Sequence, residues 1–410
     1  MAFLTKLIRF LFLILWLTGV PILLLGLLEA GYRLLHHEPL SHLIDYTWDN
    51  PSSACQLIED PLLGWTNKPG IQNWLPNGTQ MTFLNNGIRS NTFSSPQTWA
   101  PILTVGDELT LGIGLSDNQT WPAILEQILK APVQNGSVCE YGLDQSILRV
   151  EQLIPALKPS IFLVTTTPSH LNRILLTQFK QRNKPIFILE DGQPRRVHAA
   201  PNVSQPDPTA TPPPFSWERI AHYSLLATSL PNTFPLRSWL FNNSYLQADK
   251  QNPQLDQKDI LLACQLLERL YQQEKMGSSK AFFMIQYSWK DILNRKILEN
   301  FQSPRQPTGE LKQAAQSLQL IQCAKKIGLG VIDTYYPFAA LIKKKGEAIV
   351  EELFTQQITP EGNQLIAQYV ASYMTPFLSK MAPPNAELLP QEPETELMPD
   401  STNKKMRSSP

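Results

Sequence analysis

From residue 101 onward, short apolar runs alternate with stretches of helical periodicity, and this alternation is what most limits how the chain can fold. A short apolar run between turn residues is typical of a buried strand, whereas apolar residues three and four apart indicate a helix. Strands are predicted at Ile102–Val105, Val133–Asn135, Ile161–Thr165, Phe282–Gln286 and Val331–Ile332. Helices are predicted at Thr120–Ala131, Gln145–Leu157, Lys258–Met276, Leu311–Lys326 and from Pro360 onward. This order predicts a three-layer α/β/α fold with a parallel sheet between layers of helices.

The α/β pattern occupies residues 100–378 and follows a small β-rich lead-in at residues 55–99. Residues 199–215 contain Pro-Asp-Pro and Pro-Pro-Pro, so they are predicted to form a surface excursion rather than a helix or a central strand. Residues 379–410 are rich in Pro, Glu, Asn and Ser and are predicted to be a disordered tail.

The residues from Phe10 to Leu28 carry no charge, and a run of roughly 19 residues is long enough to span a bilayer. Lys6 and Arg9 precede this run, which predicts that residues 1–9 stay in the cytosol while the rest of the chain is exported. The interpretation is a signal anchor at residues 10–28, with the bilayer as its partner and a juxtamembrane connector at residues 29–54. A cleaved signal peptide is the alternative, but no small-x-small cleavage signal precedes Gly31.

Charge and cysteine content exclude some classes of function. The 35 basic and 35 acidic residues cancel and no basic run stands out, so nucleic-acid binding is not expected. The four cysteines are far apart and form no C-x-x-C pair, so neither a metal site nor a cofactor is predicted. Cys264 and Cys323 lie in helical patterns and are predicted to be buried free thiols, with a disulfide as the alternative for an exported domain.

The junction that follows the first predicted strand carries the main functional signal. After Ile102–Val105 come Gly106, Asp107 and Glu108, and a turn at the end of a strand holds a side chain at the rim of a sheet beside free backbone N–H groups. Many hydrolases place a nucleophile at such a position. Here the position is occupied by a glutamate, so the question of activity depends on Glu108.

Several motifs in sequence order resemble those of SGNH (GDSL-type) hydrolases, more narrowly their membrane-anchored bacterial branch. The resemblance extends over residues 55–378. Several motifs in the right order make it more specific than a lone Gly-Asp pair would be. The motifs are Asp60-Pro61-Leu62-Leu63-Gly64-Trp65 and Asn86-Gly87-Ile88-Arg89 in the lead-in, Gly106-Asp107-x-x-Thr110-x-Gly112-x-Gly114 with Thr120-Trp121-Pro122, Asn135-Gly136 through Asp144-Gln145, Ile161 through Arg173, and Thr359-Pro360-Glu361-Gly362-Asn363.

The resemblance implies an SGNH/flavodoxin-like sheet and acyl-ester hydrolysis or acyl transfer. In that family, a serine after Gly-Asp attacks the substrate, a C-terminal Asp–His pair supplies the base, and a glycine N–H and an asparagine help to hold the oxyanion. The positions equivalent to these family residues are Glu108, Gly142, Ser169, Thr355 and Gln357, and only Gly142 keeps the family's residue type. The resemblance also implies a bacterial inner membrane location, and a partner that is an envelope glycan or a membrane O-acyltransferase.

These departures predict that the domain lacks the usual chemistry. A serine hydroxyl needs a neighbouring base, and none of the six histidines lies after residue 222, where the family keeps its own. The Glu108 carboxylate would itself occupy donors meant for an oxyanion. The candidate cleft residues are Asp107, Glu108, Gly142, Ser169, His170 and Arg173.

Three readings of function follow. The favoured one is a catalytically inactive domain that binds an envelope glycan or scaffolds a partner. The first alternative is an active esterase or O-acyltransferase with rearranged residues, in which His170 serves as a displaced base. The second is a structural envelope protein in which Glu108 has only a helix-capping role.

Overall fold

A computed structural model describes residues 55–74, 79–92, 100–179, 182–197, 255–300, 307–354 and 358–381, together with residues 9, 16, 19–21 and 23–31 near the N-terminus. The chain forms two compact units. One unit is Met1–Ser53 with Asn202–Asn252, and the other is Ala54–Pro201 with Pro253–Pro410. The second unit contains the sheet and the candidate site.

In the first unit, residues 23–31 are helical, and leucines such as Leu23 and Leu27 are more than half exposed. Within the part of the chain that the structure describes, no helix is both long and apolar enough to cross a membrane. The predicted anchor at residues 10–28 and connector at residues 29–54 lie largely outside that part, as do the excursion at residues 199–215 and nearly all of the tail at residues 379–410.

The second unit is a mixed α/β structure around a five-stranded parallel sheet, as the alternating pattern predicts. The strands run β1 Leu57–Asp60, β2 Gly64–Asn67, β3 Ile71–Trp74, β4 Gln80–Phe83, β5 Ile102–Val105, β6 Val133–Asn135, β7 Ile161–Thr166, β8 Gln178–Phe179, β9 Arg182–Asn183, β10 Ile186–Glu190, β11 Gln193–Val197, β12 Lys280–Ile285 and β13 Gly330–Asp333. The helices run α1 Glu108–Leu111, α2 Trp121–Leu129, α3 Leu143–Leu157, α4 Gln257–Met276, α5 Trp289–Glu299, α6 Gly309–Ile327, α7 Tyr335–Lys345, α8 Ala348–Leu353 and α9 Pro360–Met381, and a 3₁₀ segment spans Pro168–Leu175.

The strand order β13-β12-β7-β5-β6 creates a crevice at one end of the sheet. The chain passes from β5 to β6 through α2 and then crosses back over β5 to β7 through α3. Right-handed crossovers in opposite directions put their helices on opposite faces, so the sheet is covered on both sides. The direction reverses at β5, which opens a crevice between the carboxyl ends of β5 and β7. The residues that follow these two strands, Asp107 and His170, are both candidates from the sequence.

The lead-in consists of two antiparallel hairpins, β1–β2 and β3–β4. Arg89 continues the β3–β4 hairpin onto the main sheet, since it forms a bridge with Phe83 on one side and with Asn135 of β6 on the other. The Trp65 ring N–H donates to the Cys139 carbonyl over 2.9 Å. The lead-in therefore packs on the loop between β6 and α3, which borders the crevice.

The free-thiol prediction for Cys264 and Cys323 is wrong. These two cysteines form a disulfide between α4 and α6, and Cys55 forms a second one with Cys139. Helical periodicity predicts burial but does not show which buried positions face each other, so the pairing of α4 with α6 was needed to find the bond. Disulfides persist mainly in oxidising compartments.

Candidate functional site

The site begins at the turn that joins β5 to α1. A Cβ atom at Gly106 would lie 1.8 Å from the Thr165 Oγ1 atom, so only glycine allows the two strand ends to approach this closely. Asp107 caps α1, and its Oδ1 atom accepts a hydrogen bond from the Leu109 N–H over 3.0 Å. The turn therefore projects Asp107 and Glu108 into the crevice, as the sequence predicts.

The Glu108 carboxylate is fully engaged by groups of the protein. Arg173 donates from Nη2 to Oε1 over 2.6 Å and from Nη1 to Oε2 over 2.9 Å, and the Glu140 backbone N–H donates to Oε2 over 2.9 Å. Burial acts to raise the pKa of Glu108, but the charges of Arg173 and His170 outweigh it and hold this pKa well below its ordinary value. Glu108 is therefore a permanent anion at the position where the resemblance places a nucleophile.

Arg173 lies in the 3₁₀ segment after β7, and its side chain is 8% exposed. Burial acts to lower its pKa, but the charge and hydrogen bonds of Glu108 together with the charges of Asp107 and Glu140 outweigh burial and raise it, so the guanidinium remains charged. It also donates to the Tyr141 carbonyl over 3.2 Å, and it stacks over the Phe179 ring at 4.9 Å from the centroid. Together with the two bonds to Glu108, these contacts hold the guanidinium in place.

His170 lies between two carboxylates. Its Nδ1 atom is 2.7 Å from Asp107 Oδ2, which also accepts from the Thr167 hydroxyl over 2.9 Å. Its Nε2 atom is 3.6 Å from Glu108 Oε1. Among the described residues, no hydroxyl group hydrogen-bonds to this imidazole. An Asp–His pair is thus present, but it faces a carboxylate instead of an alcohol.

The other predicted oxyanion positions point elsewhere. The Gly142 N–H donates to Gln145 Oε1 over 3.2 Å, which caps the start of α3. The Ser169 hydroxyl donates to Asp291 Oδ2 over 3.2 Å, and burial raises the pKa of Asp291. Neither group hydrogen-bonds to Glu108, although the prediction had its carboxylate fill the donors equivalent to the family's oxyanion hole. The donors that it does engage are Arg173 and the N–H of Glu140.

Two further positions, Thr355 and Gln357, lie outside the described residues. The structure therefore leaves their assignment as equivalents of the family's Asp–His pair a prediction. Helix α9 begins at Pro360, as predicted, and Asn363 in its first turn accepts a hydrogen bond from the Trp121 N–H over 2.8 Å. This contact joins the start of α9 to the start of α2.

The sequence did not predict the role of Arg89, which holds the C-terminal end of α1. Arg89 is buried, donates over 2.5 Å to each of the Leu111 and Gly112 carbonyls, and pairs with Asp117 at 3.3 Å. Its burial lowers the pKa of its guanidinium to about 10, against the effect of Asp117. The match of Arg89 to a lead-in motif was the available signal, but a motif match does not say what the side chain contacts.

Asp107, Glu108 and His170 form the one group among the described acidic, histidine and cysteine side chains whose ligand atoms lie close enough to hold a metal ion, all within 4.8 Å of one another. The Arg173 guanidinium binds both oxygens of Glu108 and brings its own positive charge to the same place. A cation at this point would have to displace Arg173, so the residues present fit a metal ion poorly.

Comparisons with known proteins give likenesses among solved structures. No family model and no curated protein matches the chain. A protein assigned to the G-D-S-L family of lipolytic proteins, from Desulfitobacterium hafniense, is similar at 12% identity with a TM-score of 0.32, over 67% of this chain and 99% of that one. The psychrotrophic esterase EstA from Pseudoalteromonas is similar at 10% identity with a TM-score of 0.35, over 68% and 99%. An α/β hydrolase enzyme from the metagenome of Lake Arreo is similar at 9% identity with a TM-score of 0.37, over 68% and 96%. The first description names the GDSL group that the motifs resemble, but at these scores the likenesses carry no argument about what this chain does.

Proposed function

We propose that this chain is a non-catalytic protein of the SGNH hydrolase-like type, anchored in a bacterial inner membrane by residues 10–28 with its α/β domain outside the cytosol. It binds an envelope glycan there, or scaffolds a membrane O-acyltransferase that modifies one. One observation supports the proposal that the domain is not catalytic. The residue at the nucleophile position, Glu108, is a carboxylate held by Arg173 and by the Glu140 N–H.

Acyl transfer through a serine needs a hydroxyl, a base in contact with it, and donors free to receive an oxyanion. At this rim the hydroxyl is replaced, the imidazole of His170 faces a carboxylate, and the Gly142 N–H is already bonded to Gln145. The first two failures share one cause, the carboxylate at position 108, whereas the Gly142 N–H is bonded elsewhere independently of it, so a change at position 108 alone does not restore the reaction.

Two observations support the proposed location. The cysteines form disulfides in both described pairs, which is typical of exported domains. The run from Phe10 to Leu28 follows Lys6 and Arg9, the charge order of a signal anchor. Membrane fractionation with carbonate extraction tests the anchor, and protease treatment of intact and opened cells tests which side the domain faces. Release of the chain by carbonate would contradict the anchor.

The inactivity is tested by fluorophosphonate labelling and by turnover of p-nitrophenyl acetate, with an intact GDSL esterase as the positive control. We expect neither labelling nor turnover above the rate in buffer. The Glu108→Ser variant should also stay inactive, because the Gly142 N–H that would hold an oxyanion is already bonded to Gln145 Oε1.

The Asp107–His170 pair favours one second candidate, an esterase or O-acyltransferase with His170 as a displaced base. A carboxylate that accepts from Nδ1 is how hydrolases orient a base. Turnover by the wild-type chain that disappears in His170→Ala, but not in His198→Ala, would establish this candidate and overturn the first.

Glycan binding separates the favoured proposal from a purely structural role. Binding of isolated envelope polysaccharide should be saturable and should weaken in Glu108→Ala, because Glu108 lies at the rim of the crevice and neutralises the charge of Arg173 there. If the polysaccharide does not bind and no membrane O-acyltransferase co-purifies, a purely structural role is the remaining hypothesis.

A further inference from the structure

We propose that the pocket around Arg173 is a carboxylate-binding site in which Glu108 is the resident ligand, and that a small external monocarboxylate takes the same place when the Glu108 side chain is removed. The ligand class is the acetate or formate ion. This inference goes beyond the proposed function, since it does not depend on which glycan or protein the domain binds.

Three donors from two separate segments converge on one carboxylate. Arg173 supplies two parallel N–H groups from the 3₁₀ segment after β7, at 2.6 and 2.9 Å. Glu140 supplies its backbone N–H from the loop between β6 and α3, at 2.9 Å. Two parallel bonds from a guanidinium to a carboxylate select that planar geometry over a spherical anion such as chloride.

The receptor is built independently of the glutamate that fills it. Arg173 is fixed by its bond to the Tyr141 carbonyl and by stacking on Phe179, neither of which involves Glu108. The Cys55–Cys139 disulfide and the Trp65 hydrogen bond to the Cys139 carbonyl hold the loop that presents the Glu140 N–H. These supports remain when position 108 changes, so the donors stay in place.

The size of the space fixes the ligand class. Glu108→Ala removes a CH₂–COO⁻ group, and acetate has the same heavy atoms. The Glu108 side chain is 16% exposed, so the vacated space opens to solvent. The Arg173 side chain is only 8% exposed, so its charge has little solvent around it. When the Glu108 carboxylate is removed, no anion is bonded to this guanidinium, and binding of an external carboxylate is favoured. In the wild-type chain the tethered Glu108 outcompetes external acids because of its high effective concentration.

The test measures the thermal unfolding midpoint of the full chain, purified in detergent, against sodium acetate at ionic strength held constant with sodium chloride. We expect Glu108→Ala to unfold at a lower temperature than wild type, and acetate to raise its midpoint saturably by roughly 2–4 °C. Formate should act in the same way. Acetamide, which has the shape of acetate without the charge, should have no effect.

Two variants serve as matched controls. Glu108→Gln fills the space with an uncharged group of the same size and should not respond to acetate. Glu108→Ala/Arg173→Leu lacks the guanidinium and should not respond either. If Glu108→Ala does not fold, Glu108→Ser leaves a smaller opening, because its oxygen takes the place of the Glu108 Cγ atom, and formate is then the ligand to test.

An absent acetate effect in a folded Glu108→Ala variant, or an absent formate effect in a folded Glu108→Ser variant, would overturn the proposal. An equal effect in the double variant would also overturn it, since acetate would then act elsewhere. Either failure is distinct from a failure of the proposed function, because the latter is read from ester turnover and these midpoints are not.

Discussion

The contribution of the Glu108–Arg173 ion pair to the stability of the protein depends on its burial. Their side chains are 16% and 8% exposed, and two hydrogen bonds join them. The exposed pair Arg195–Glu190 in the β10–β11 hairpin has side chains that are 55% and 52% exposed. Water and salt screen the exposed pair, whereas loss of one partner of the buried pair leaves a charge with little solvent around it.

Removing Arg173 should therefore destabilise the protein far more than removing Arg195. We expect Arg173→Leu to lower the free energy of unfolding by about 3 kcal/mol, because Glu108 is left without its cation. Arg195→Leu should change it by less than about 1 kcal/mol. Urea unfolding of both variants measures the difference, and equal losses would contradict the role given to the buried pair.

Glu108 should contribute to the loss of stability at acid pH. Its pKa in the folded protein lies below the ordinary value of 4.5, so the folded carboxyl binds a proton more weakly than the unfolded one. The resulting stabilisation is complete above about pH 4.5 and is lost progressively as the pH falls below it. The stability difference between wild type and Glu108→Gln should shrink over that range. A difference that stays constant from pH 7 to pH 3 would mean that Glu108 is not held by Arg173.

At this scale the sequence predicted which residues meet but not what they do. Glu108, His170 and Arg173 were candidates because they stand in motifs that resemble those of SGNH hydrolases, and in the structure they do lie together. The partner role of the Glu140 N–H had no sequence signal, since every residue carries a backbone N–H and only the loop conformation selects one. Gly142 was expected to donate its N–H into the site. That N–H instead caps the start of α3 by donating to the Gln145 side chain.

Among the elements, the β5–α1 turn depends on one glycine. Gly106→Ala would place a Cβ atom 1.8 Å from Thr165 Oγ1 and 2.8 Å from Thr110 Oγ1, so β5 and β7 would have to separate. We expect a loss of about 3 kcal/mol in the free energy of unfolding. Gly277→Ala, after α4, has no neighbour within 3.5 Å of the added Cβ and is the matched control. A tolerated Gly106→Ala, measured by thermal unfolding, would mean that the strand ends can shift.

The five central strands and five of the helices could be predicted because their apolar periodicity is clear, and their ends differ from the prediction by at most two residues. Helices α5 and α7 and the short helices α1 and α8 were not among the predicted ranges. Helix α5 depends on a capping box between Ser288 and Asp291 and on burial of only a few residues, which gives a weak periodic signal. The β10–β11 hairpin was missed because it contains Pro194 and two arginines, unlike a typical strand.

For the whole molecule, the order of the strands could not be read from the sequence. Alternating strands and helices predict a parallel sheet with covered faces, but several strand orders satisfy that pattern. The lead-in was predicted to be β-rich from turn residues. Its attachment to the β6–α3 loop, through Trp65 and the Cys55–Cys139 disulfide, depends on long-range contacts that no local pattern encodes.

The disulfides make a prediction at this scale. Alkylation of the native, unreduced chain should leave its mass unchanged, and reduction under denaturing conditions should expose four reactive cysteines. Cys55→Ala/Cys139→Ala should lower the free energy of unfolding by about 2–4 kcal/mol, because the crosslink joins residues 84 positions apart. Alkylation without reduction would restore the free-thiol interpretation.

The carboxylate of Glu108 joins the turn after β5 to two other segments, so a charge pair links three parts of the rim. A serine at position 108 would leave the Arg173 cation without its anion and weaken the fold. Any gain of ester chemistry through that substitution would therefore come at the cost of stability, and the fold itself opposes the change.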